Sequence, residues 1–70
     1  MDKTQLGNRL KVARAEKNLS QEDLANLAGV SRQTISSIET RQYTPSALLA
    51  FIIAHKLGKP IDEIFFLEGE

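Results

Sequence analysis

The sequence predicts an all-α fold, a compact bundle of five helices, on three observations. Apolar residues recur at three- and four-residue spacing while β-branched alternation is nearly absent. Three of the periodic stretches are preceded by a serine placed to cap a helix, Ser20, Ser31 and Ser46. The breaks between them are short and carry Asn18, Gly29, Pro45, Gly58 and Pro60, as expected of helices joined by tight turns.

Leu6, Leu10 and Ala13 place the first helix from residue 4 or 5 to residue 17, with Leu19 packing the turn after Asn18. Ser20 followed by Asp23 has the form of a capping box and opens a short helix over 21–28. Gly29 can take positive φ after it, and Ser31 can cap the next helix, 32–40. Thr44-Pro45-Ser46 opens a fourth helix that runs to Leu57 and stops at Gly58. Pro60 suits the first position of a brief fifth helix with Asp62 and Glu63 in its first turn.

Seventy residues allow one small domain, 1–70, and exclude a large enzyme. At 41% hydrophobic and 26% charged residues the chain has an ordinary globular balance and should fold. The absence of cysteine removes disulfides and thiolate metal sites and points to a reducing compartment, the cytoplasm. The longest apolar run, residues 47–54, is too short for a bilayer, and Met1-Asp2-Lys3-Thr4 does not begin a signal peptide, so no membrane association is expected. His55 is the single histidine, and the serines have structural uses without a base-and-orienter partner. No metal, no cofactor and no enzymatic activity are therefore expected.

Nine basic and nine acidic residues cancel, yet they are segregated. Residues 1–20 and 29–60 are each net +3, against −2 at Glu22 and Asp23 and −4 over Asp62, Glu63, Glu68 and Glu70. Charge placement alone leaves both a basic face and a solvated mixed-charge surface open.

Residues 21–40 have the spacing of a helix-turn-helix. Leu24 and Ala28 face inward one turn apart, Ala25 is small where the second helix crosses, and Val30, Ile35 and Ile38 bury that second helix. Arg32, Gln33, Thr34, Ser36 and Ser37 are left on its outer and leading surface, where polar side chains can reach base edges in a major groove.

Over roughly residues 8–66 the chain resembles the Cro and phage-repressor helix-turn-helix family of transcriptional regulators, also called the xenobiotic-response-element family. The matching words are Arg14 before Asn18-Leu19-Ser20-Gln21, Leu24-Ala25, Gly29-Val30-Ser31-Arg32-Gln33-Thr34-Ile35-Ser36, Ile38-Glu39, Tyr43-Thr44-Pro45-Ser46 and Ile61-Asp62-Glu63-Ile64-Phe65. The capping box alone is a weak signal; the ordered set is specific.

The resemblance implies a bundle of the phage-repressor DNA-binding-domain type and a sequence-specific repressor of transcription that binds a double-stranded DNA operator. The helix after Ser31 becomes the recognition helix, with Arg32, Gln33 and Ser37 facing bases. An arginine fork matches guanine O6 and N7, and a glutamine amide matches adenine, each contact carrying about 1–3 kcal/mol of discrimination. Gln21 matches a residue that touches phosphate and braces the recognition side chains, and Ser31, Thr34 and Tyr43 match phosphate-contacting positions. Tyr43 can equally pack its loop. Arg14 and Glu39 match a partly buried salt bridge that ties the first helix to the recognition helix.

Arg41 departs from the family pattern, which has glycine after the recognition helix. A positive φ there costs roughly 1 kcal/mol, which a cation near the helix C-terminus and the DNA backbone can offset. Arg41 is thus a further candidate phosphate contact.

In the fourth helix Leu49, Ala50, Ile53, Ala54 and Leu57 trace one buried stripe, whereas Leu48 and Ile52, with His55 one turn on, form a second where similar repressors carry polar residues. A homodimer that buries this second stripe places two recognition helices about 34 Å apart for a two-fold operator. Phe66 and Leu67, in the tail 66–70, are candidates for the same contact, while Phe65 matches a core position. Filling of the monomer core by all these residues stays open. The alternative function is a protein-interaction or antitoxin-like module that holds a partner through residues 46–57 and the tail.

Overall fold

A computed structural model describes residues 4–69. In chain order they form strand β1 (Gln5–Asn8), helices α1 (Leu10–Glu16), α2 (Gln21–Ala28), α3 (Arg32–Glu39) and α4 (Ala47–Leu57), a 3-10 turn (Ile61–Glu63) and strand β2 (Phe65–Glu68). Two elements correct the all-α, five-helix expectation. Residues 5–8, expected to begin the first helix, are a strand, and the expected fifth helix is a single 3-10 turn that leads into a second strand.

The first correction has a local and a distant cause. The Asn8 side-chain oxygen, at the end of the strand, accepts the Leu10 N–H at 3.1 Å and so satisfies the first free donor of α1. Residues 5–8 pair antiparallel with β2 in the register Gln5 with Glu68, Leu6 with Leu67, Gly7 with Phe66 and Asn8 with Phe65. Leu6 still packs on the core, but from a strand. The 3-10 turn ends after three residues, and Ile64 and Phe65 are buried directly behind it.

Gly7 fits this pairing for a steric reason. A Cβ at that position would lie 2.5 Å from Cε1 of Phe66, closer than non-bonded carbon atoms sit, so the ring would have to shift. The Phe66 ring lies across the glycine and carries the Arg9 guanidinium 4.8 Å above its centroid. Gly7→Ala is therefore expected to lower the unfolding free energy by about 1–3 kcal/mol in a urea titration, as overpacking does. Phe66→Leu in the same chain should recover part of the loss.

The helical pair is set by its caps. Ser20 Oγ accepts the Asp23 N–H and an Asp23 carboxylate oxygen accepts the Ser20 N–H, both at 2.9 Å. The Ser20 backbone N–H, then its hydroxyl, hold the Asp23 carboxyl below the ordinary carboxylate range. Gly29 takes φ of 76° to end α2, and Ser31 Oγ accepts the Thr34 N–H at 3.1 Å to start α3. Ser46 caps α4 in the same way through the Leu49 N–H.

The core joins every element. Leu10, Leu24, Ile35, Ile38, Ile53, Leu57 and Ile64 are its fully buried large side chains, contributed by α1, α2, α3, α4 and the segment after the 3-10 turn. Ala25, 1% exposed, lets α2 and α3 approach closely, so the outer surface of α3 is fixed relative to the body of the protein. Among the described residues no helix is long and apolar enough to cross a membrane.

Candidate nucleic-acid interface

Helix α3 buries Ile35 and Ile38 and turns Arg32 and Gln33 to solvent, with Thr34, Ser36 and Ser37 partly exposed. Eight residues span about 12 Å, the width of a B-DNA major groove. Ser31, at the N-cap, is exposed, and its hydroxyl lies 3.0 Å from that of Thr34. Gln33 donates from Nε2 to Ser37 Oγ at 3.2 Å, one turn along the same face.

Behind this surface lies a chain of polar contacts that reaches back to α1. The Glu39 carboxylate accepts Arg14 Nε at 2.7 Å and Arg14 Nη2 at 3.2 Å, a two-point pairing between side chains only 13% and 8% exposed. Arg14 Nη1 donates to the Leu19 carbonyl at 2.8 Å, so the guanidinium is held on two sides. Glu39 Oε1 also accepts Gln21 Nε2 at 3.1 Å, and Gln21 Oε1 accepts Arg32 Nη1 at 3.1 Å.

This order fixes the Gln21 amide. An ionised carboxylate only accepts hydrogen bonds, so the Gln21 NH2 must face Glu39 and its carbonyl must face Arg32. Arg32 is thereby braced through one nitrogen on an otherwise exposed side chain. Four of the residues singled out by sequence, Arg14, Gln21, Arg32 and Glu39, thus form one connected unit.

Comparison with known proteins gives the same region. The Helix-turn-helix family model matches residues 10–64. The chain belongs to the helix-turn-helix family of DNA-binding transcriptional regulators. An HTH-type transcriptional regulator of Methanocaldococcus jannaschii is 54% identical over 63 residues, covering 90% of this chain and 96% of the relative. An HTH-type transcriptional regulator of Bacillus subtilis is 41% identical over 63 residues, with the same two coverages. Among solved structures, the restriction-modification controller protein C.AhdI from Aeromonas hydrophila superposes with a TM-score of 0.75 at 34% identity, covering 79% of this chain and 83% of that one.

In this helix-turn-helix protein the segment after α3 turns sharply. The Gln42 and Tyr43 N–H groups both reach back to the Ser37 carbonyl, at 2.8 and 3.2 Å. Arg41 adopts φ of 65°, and among the described residues Asn18, at 58°, is the other non-glycine with positive φ. Tyr43 is exposed beside this turn. Asn8 Nδ2 donates to the Ile38 carbonyl at 3.0 Å, so β1 ties down the C-terminal end of α3. Arg41 pairs with Glu68 of β2.

Away from α3, Leu48 is 72% exposed, Ile52 is half-buried and His55 is exposed. Leu67 is 79% exposed, whereas Phe66 is half-buried over Gly7. Sequence reasoning passed over Phe51, which is 59% exposed between Leu48 and His55 on α4. Its position three residues after Leu48 and four before His55 was the available signal. The roles of Asn8 and Glu68 carried no such local signal, because each depends on the pairing of the two chain ends.

Proposed function

We propose that this helix-turn-helix regulator is a sequence-specific repressor that inserts α3 into the major groove of a two-fold operator as a homodimer. The carrying observation is the braced Arg32: its guanidinium is held by Gln21, itself oriented by the mostly buried Arg14–Glu39 pair, at the exposed leading end of α3. A side chain ordered before binding loses less conformational entropy when it docks, which favours discrimination between bases.

In this reading Arg32, Gln33 and Ser37 read base edges. Gln21, Ser31, Thr34 and Tyr43 hold phosphates on either side of the groove and set the register. Arg41 lies at the far end of α3, where a helix of this length meets the opposite backbone. Leu48, Phe51, Ile52 and His55 form the face that a second copy covers, which sets two copies of α3 about one helical turn of DNA apart.

Selection of binders from a random duplex pool by the purified protein, at near-physiological salt, tests this directly. The expected result is enrichment of an inverted repeat with half-sites one helical turn apart. Folded protein that enriches no sequence contradicts it.

A further inference from the structure

The carboxylate of Glu68 is the unexpected neighbour of the DNA-facing surface. It stands on β2 opposite Gln5, on the same side of the strand pair as Phe66 and Gly7, and it meets the Arg41 guanidinium in an ion pair. The Arg41 guanidinium compensates the Glu68 carboxylate, whose side chain is 37% exposed. The arginine side chain remains 43% exposed. Both side chains are partly exposed, so this is a surface ion pair worth about 1 kcal/mol or less.

We infer that Glu68 is an affinity-limiting residue of the DNA interface: it retains Arg41 as an internal ion pair and withholds that cation from the phosphate backbone. The inference rests on the reading that α3 enters the major groove, which puts the Arg41 turn beside a phosphate strand. Arg41 is then a latent phosphate contact. Its charge is already neutralised within the protein, so docking releases no counterion on its account. The turn thus contributes little to indiscriminate electrostatic binding, and discrimination is left to the leading end of α3.

The test is affinity for the selected duplex over a range of KCl concentrations, with parent protein, Glu68→Gln, Arg41→Ala/Glu68→Gln and the charge-matched Glu63→Gln on the 3-10 turn. Glu68→Gln keeps the shape of the side chain and removes its charge. It should bind about two- to fivefold tighter at physiological salt, the scale of one exposed ion pair. The slope of log affinity against log salt should steepen by about 0.9, the value for one added phosphate contact. Both gains should vanish in Arg41→Ala/Glu68→Gln, and Glu63→Gln should leave the slope unchanged.

Equal slopes for parent and Glu68→Gln, or gains that survive loss of Arg41, overturn the inference while leaving the major-groove reading intact. A parent protein that binds all duplexes alike, or none, overturns that reading and this inference with it. Thermal unfolding of each variant followed by circular dichroism confirms that folded proteins are being compared.

Discussion

Glu39→Ala is expected to cost about 3 kcal/mol of unfolding free energy, the lower end of what loss of one partner of a buried ion pair costs. The reason is what it leaves behind. The Arg14 guanidinium stays mostly buried with only the Leu19 carbonyl as acceptor, while the Gln21 amide loses the carboxylate that orients it. A double-mutant cycle with Arg14→Ala separates this from a cavity effect: the double variant should be less destabilised than the sum of the singles, with a coupling of about 1 kcal/mol or more. Chemical denaturation of the four proteins measures it, and a coupling near zero contradicts the role given to the pair. At a temperature where Glu39→Ala remains folded, it should also discriminate less between the selected duplex and its base-substituted variants, because Arg32 is no longer braced through Gln21.

Arg32→Ala is expected to have the largest effect on DNA binding with little effect on stability, since the side chain is exposed and packs nothing in the core. A lost bidentate base contact corresponds to about 1–3 kcal/mol, roughly tenfold or more in affinity for each half-site. The pattern distinguishes it from loss of a phosphate contact. The variant should become indifferent to the base at one position of each half-site, whereas Thr34→Ala should weaken binding to all duplexes about equally and, because the hydroxyl carries no charge, leave the salt dependence unchanged. Fluorescence anisotropy with a panel of single-substitution duplexes reads both. Equal losses across the panel for Arg32→Ala remove it from base readout.

The parts of the fold legible in the sequence were those with local chemistry at both ends. Ser20 with Asp23, Gly29, Ser31, Ser46 and Gly58 bound α2, α3 and α4, and each acts through a hydrogen bond or a backbone conformation within four residues of itself. The N-terminal segment was illegible for the opposite reason. Leu6, Leu10 and Ala13 have helical spacing, but a strand pairing with residues at the other end of the chain overrides it, and that pairing has no signature within a short window.

The same division applies to the interface. Its outward polar positions followed from the spacing of Leu24, Ala28, Val30, Ile35 and Ile38, and their assignment to bases and phosphates came from family resemblance. The direction of the Gln21 amide depends on α2 meeting both ends of α3, and the neighbour of Arg41 depends on the sheet. Periodicity along one helix contains neither.

Insertion of α3 into the major groove is tested most directly by guanine N7 methylation interference on the selected duplex, comparing parent protein with Arg32→Ala. The expected result is interference at one guanine in each half-site, the two sites one helical turn apart, with both signals lost in the variant. Methylation that leaves parent binding undisturbed, or interference identical in the two proteins, contradicts the placement of Arg32 and α3 in the groove.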